Sequence, residues 1–132
     1  MTPALRAILK LETWKLGLAA WIFAGYSPLS LKSSGKLIRL TDSAEIFDGS
    51  HDFRVAEKQR DKILALLVKT FSKQLKREID ATKEQLPRNA IISEVANNWR
   101  EEDCVHIGWL DLAIELQYVP STVKPNQGNR RQ

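Results

Sequence analysis

Residues 13–28, TWKLGLAAWIFAGYSP, form the most apolar stretch of the chain, with Lys15 the one charge between Trp14 and Tyr26. A helix written over this stretch is apolar on nearly every face, so other elements must enclose it. Thr13 suits the N-cap, Gly25 suits the C′ position, and Pro28 stops the helix from restarting. Gly17, Ala19, Ala20 and Ala24 leave room for a neighbouring helix to approach closely. Upstream, Thr2-Pro3 supplies a capping hydroxyl and a first-turn proline, which opens a short helix running to about Leu11.

Residues 27–50 lack a helical period. Ser33-Ser34-Gly35 and Asp48-Gly49 mark loops, and Leu37-Ile38-Arg39-Leu40 suits a short strand or a helical turn. From about Asp52 to about Gln85 the pattern is helical. Ile63, Leu67, Phe71, Leu75 and Ile79 repeat every four residues, supported by Leu64 and Val68. Such a repeat drifts by about 40° per step around a 3.6-residue helix, so the apolar stripe winds. The polar residues 76–84 predict a break there. Beyond Pro87, Ile91, Ile92, Val95, Ala96 and Trp99 mark a short helix over 90–100. Trp109, Leu110, Leu112, Ala113 and Leu116 mark another over about 107–117, stopped by Val119-Pro120. The pattern predicts a mainly α fold, a compact bundle of four to six helices, with room for one short strand or hairpin near 36–47. It predicts one domain over 1–120, with sub-parts 1–86 and 87–120, and a flexible basic tail over 121–132.

Composition narrows the class. A chain of 132 residues, 43% hydrophobic and 27% charged, is ordinary for a globular domain with its own core. One cysteine, Cys104, permits no internal disulfide and suits a reducing compartment, which predicts a cytoplasmic location. The longest uncharged apolar run spans residues 16–26, and a membrane-spanning helix needs about 20 residues, so no membrane association is predicted. Basic residues precede this run as in a signal peptide, but Glu12 interrupts the approach. The net charge of +4 is uneven: residues 51–88 hold ten Lys/Arg and six Asp/Glu, whereas residues 89–123 hold one Arg and six Asp/Glu. A dipolar surface of this kind suits a charged partner or self-association into a homo-oligomer.

Groups with tunable chemistry are few. His51, His106 and Cys104 are the only imidazoles and thiol. In EEDCVH, residues 101–106, acidic neighbours oppose thiolate formation, and the cluster reads as a turn between helices. No phosphate loop, zinc or nucleophile motif occurs, since Ser33-Ser34-Gly35-Lys36 lacks the upstream glycine and the following hydroxyl of a Walker A element. The expectation is a non-enzymatic protein with no catalytic residue, metal or cofactor.

Two patterns point to binding. Lys58, Lys62, Lys69, Lys73 and Lys76 fall within about 60° of one another on a helical projection, opposite Ile63, Leu67 and Phe71. That stripe suits a phosphate backbone or an acidic protein surface. Trp14 and Trp21 share a face and read as core. Trp99, Glu101, Glu102, Asp103 and Trp109 lie in the acidic part and read as a partner-binding surface. A helix-turn-helix over 90–117 would expose Asp111 and Glu115 to DNA, which disfavours that reading.

W-x-L-x-x-A-A-x4-G-x-x-P at residues 14–28 is similar to the opening of many small, uncharacterised bacterial and phage proteins. W-x3-A-x6-P at residues 109–120 is similar to their ending. The resemblance implies a prokaryotic or phage origin and a mainly helical fold, and it transfers no functional residue. The leading expectation is a phage or mobile-element accessory protein that docks onto another protein as an inhibitor or assembly subunit. The alternative is sequence-independent nucleic-acid binding through the lysine stripe.

Overall fold

A computed structural model describes residues 2–100, 102–103 and 108–116. Among these, 58% are helical and 14% lie in strands. The chain runs α1 (Pro3–Leu9), β1 (Thr13–Lys15), α2 (Leu16–Ala24), β2 (Tyr26–Ser27), α3 (Leu31–Ser34) and β3 (Lys36–Arg39). It continues through β4 (Glu45–Phe47), α4 (His51–Leu75), β5 (Gln85–Pro87), α5 (Arg88–Asn98) and α6 (Gly108–Glu115).

The expected helical bundle is therefore corrected to a mixed α/β fold with two small antiparallel sheets. One pairs β1 with β5, Trp14 opposite Leu86. The other has the order β2-β3-β4, with the β3–β4 hairpin in the region where a hairpin was allowed for. Strands of two to four residues are too short for a two-residue period to stand out, and β1 runs directly into the apolar helix. Thr13 accordingly pairs with Pro87 in β1, and Lys15 is the N-cap of α2, without a side-chain cap.

The expected ends at Thr2 and Gly25 hold. The long helix expected to about Gln85 ends where a break near 76–84 was predicted, and the first ends at Leu9 instead of about Leu11. Thr2 Oγ1 accepts from the Leu5 amide at 3.3 Å and donates to the Leu40 carbonyl at 2.6 Å. Gly25 ends α2 with φ 104°, a left-handed conformation that glycine adopts without steric cost. Ser50 caps α4 by accepting from the Phe53 amide at 3.1 Å. The long helix stops at Leu75, where Lys76 turns left-handed at φ 54°. The chain then folds back and returns Ile79 to the core, at 7% exposure. Asp80 shapes that return by accepting from the Thr82 amide and hydroxyl at 2.9 and 2.8 Å. These bonds, the backbone one first, hold its carboxyl below the ordinary value.

α2 lies at the centre and packs against α4, and Leu16, Ala19, Ala20, Ile22, Phe23 and Ala24 are all buried. The main core gathers these with Leu5 and Ile8 of α1, Ile63, Leu67 and Phe71 of α4, Ile91, Ile92 and Val95 of α5, and Trp109, Leu110 and Ala113 of α6. A second cluster, Trp21, Leu37, Ile46, Phe53 and Ala56, fixes the three-stranded sheet to α2 and α4. Residues on both sides of Pro87 thus share one core.

Candidate functional site

The outer face of α4 carries a row of exposed cations. Serine capping at Ser50 and the buried stripe Ile63, Leu67 and Phe71 fix the rotation of this helix about its axis. Lys58, Lys62, Lys69 and Lys73 consequently lie exposed on the opposite side. Arg54 precedes Lys58 by four residues, joins the same face and is also exposed. From Arg54 to Lys73 the row is about 28 Å long at 1.5 Å per residue. Ala65 and Leu66 divide it into a basic group of three and a basic pair.

Among the described residues, none of these five cations is in an ion pair. The cations that are paired, Lys36, Arg39, Arg60, Arg77 and Arg100, lie off this face. Lys76 does not belong to the row: it sits past the helix end, exposed on the reversing turn. Sequence reasoning extended the stripe one residue too far because a left-handed lysine leaves no signal in the chain. It omitted Arg54, whose four-residue spacing to Lys58 was the available clue.

Two acids of α4 itself flank the row, Glu57 and Asp61. Both are held by Arg60, whose Nε donates to Asp61 Oδ1 at 2.6 Å and whose Nη2 lies 3.9 Å from Glu57 Oε2. The guanidinium also rests over the Trp21 ring, 4.6 Å from its centroid. Trp21 in turn is set against Phe53 and Tyr26, with centroids 5.9 and 6.5 Å away.

The tryptophans assigned to a partner surface are placed differently. Trp109 is core, at 7% exposure, with its ring stacked on Phe23 at 6.3 Å and 18°. Trp99 is half-buried and packs against the same Phe23 at 6.1 Å. Their charged neighbours in sequence gave no information about this direction, which long-range packing sets. Glu102 is exposed and lies 3.7 Å from Arg100, while Asp103 accepts from the Arg100 amide at 3.0 Å, so these acids close a local turn. Glu101, Cys104, His106 and the tail 121–132 lie outside the described residues. His51 opens α4 and is exposed.

A shallow hollow of about 490 Å³ lies beside the row, with Leu66, Lys69, Lys73 and Glu94 in its wall. Among the described residues no group of three or more His, Cys, Asp or Glu side chains could hold a metal ion. No described helix is long and apolar enough to cross a membrane. Comparison of the chain with protein-family models, with curated proteins and with solved structures gives no match.

Proposed function

We propose that this protein is a binding protein that takes the phosphate backbone of nucleic acid, without sequence preference, on the outer face of α4. The observation that carries this reading is the row Arg54, Lys58, Lys62, Lys69 and Lys73, exposed on one helical face and free of ion pairs among the described residues. Cations left bare in this way can neutralise phosphates, and each phosphate neutralised releases cations condensed on the nucleic acid, with a gain in entropy. The inward packing of Trp109 and Trp99 takes the aromatic anchors from the competing protein-docking reading. No aromatic side chain belongs to the basic row, so bases are neither stacked upon nor read.

Anisotropy titration with labelled duplexes of unrelated sequence tests the proposal. If all five cations reach phosphates, log K falls against log salt with a slope of about −4.5, about 500-fold between about 50 and 200 mM. Lys62→Glu, Lys69→Glu and Lys73→Glu combined in one protein should abolish binding. Binding that survives this replacement, or a wild-type protein that fails to bind at low salt, rejects the reading.

A further inference from the structure

Arg60 lies off the basic row, yet its position decides how much positive charge the row presents. On α4, Asp61 follows Lys58 by three residues and Glu57 follows Arg54 by three. Both spacings favour an ion pair on a helix surface. Each carboxylate therefore has a cation of the row within ordinary reach. Neither uses it: Asp61 accepts from Arg60 at 2.6 Å, and Glu57 faces the same guanidinium at 3.9 Å. Glu57 and Asp61 also stand four residues apart, where like charges repel, and a cation between them relieves that repulsion.

Something must hold Arg60 in place for this arrangement to persist. A free arginine is long and rotamer-rich, and an exposed pair alone orders it weakly. Here the guanidinium is 4.6 Å above the Trp21 ring, and its side chain is 23% exposed. Trp21 is itself buried at 5% exposure between Phe53 and Tyr26. The second core cluster thus fixes an aromatic ring, the ring fixes a cation, and the cation draws two carboxylates to the flank of the helix.

We infer that Arg60 is a positioning residue for nucleic-acid binding: it holds Glu57 and Asp61 away from the row and keeps Arg54 and Lys58 unneutralised. This inference rests on the nucleic-acid reading above. Removing Arg60 frees Asp61 to pair with Lys58 and Glu57 to pair with Arg54. Each pair takes one cation from the phosphates. One phosphate contact is worth about 0.9 units of salt slope, or about eightfold in affinity near 0.1 M salt.

The test is a double-mutant cycle on duplex binding. Its members are wild type, Arg60→Met, the double variant Glu57→Gln/Asp61→Asn, and all three changes together. Methionine keeps an unbranched apolar stem over Trp21 and favours helix, and thermal melts check that the four proteins fold alike. The expected result is a loss of about eightfold or more for Arg60→Met, with a salt slope shallower by about 0.9 or more. Adding Glu57→Gln/Asp61→Asn should restore the wild-type slope, whereas the same pair in the wild-type background should leave the slope unchanged. A distant net-charge effect is also screened by salt, but it would be additive: Glu57→Gln/Asp61→Asn would then change affinity and slope equally with and without Arg60. Wild-type binding with an unaltered slope in Arg60→Met overturns this inference alone. Absence of salt-sensitive wild-type binding overturns the nucleic-acid reading and this inference with it.

Discussion

Arg88 shows how much of the molecule rests on contacts between residues distant in sequence. It is the first residue of α5, and its guanidinium donates to the carbonyls of Leu9 and Leu11, the latter at 3.2 Å. Its amide donates to the Glu12 carbonyl at 2.8 Å. These bonds satisfy carbonyls at and just past the end of α1, which its own helix cannot serve. Burial lowers the Arg88 pKa and the nearby Glu12 carboxylate opposes that shift. Arg88→Ala takes the guanidinium from the Leu9 and Leu11 carbonyls, leaves the amide bond to Glu12, and should cost about 2 kcal/mol, read as a lower urea midpoint at unchanged slope. In the sequence Arg88 is one more cation after a proline, because its partners lie 77 and 79 positions away. The lysine row is the contrary case. Its members are related by helical spacing alone, so regular repetition made Lys58, Lys62, Lys69 and Lys73 readable together.

At the scale of the element, helix ends divide into those the chain announces and those it does not. Thr2-Pro3 and Gly25 carry residue types with one dominant local use, and both act as expected. The polar run 76–84 announces a break after Leu75 but not its exact place, since the left-handed residue there is a lysine at φ 54°. A side chain in that conformation costs about 1 kcal/mol or more, a penalty glycine escapes. Lys76→Gly should therefore raise stability by about 1 kcal/mol, measured by urea unfolding. The opposite error arose at Thr13. Its hydroxyl fits an N-cap, but the pairing of β1 with β5 overrides that local preference and delays the helix to Leu16. No three-residue window containing Trp14 or Leu86 could have disclosed that pairing.

The whole molecule depends on the place where α2 meets the chain beyond Pro87. Phe23 is fully buried and touches three indoles, with centroids 6.3 Å from Trp14, 6.1 Å from Trp99 and 6.3 Å from Trp109. Phe23→Ala should cost about 3–5 kcal/mol. Because the main core takes residues from α1, α2, α4, α5 and α6, tryptophan fluorescence and far-UV circular dichroism should still report one shared, lowered transition. Two separate transitions would show that residues before and after Pro87 fold independently. The pairing of β1 with β5 also fixes when this core can close. The strands lie 72 positions apart, and bringing such distant segments together costs on the order of 4 kcal/mol in chain entropy. On a ribosome adding about 5–20 residues per second, β5 is made roughly 4–14 s after β1. Throughout that interval the nascent chain holds Trp14 and Phe23 without their final cover. Its yield in a cell therefore depends on whether chaperones reach these side chains before other nascent chains do.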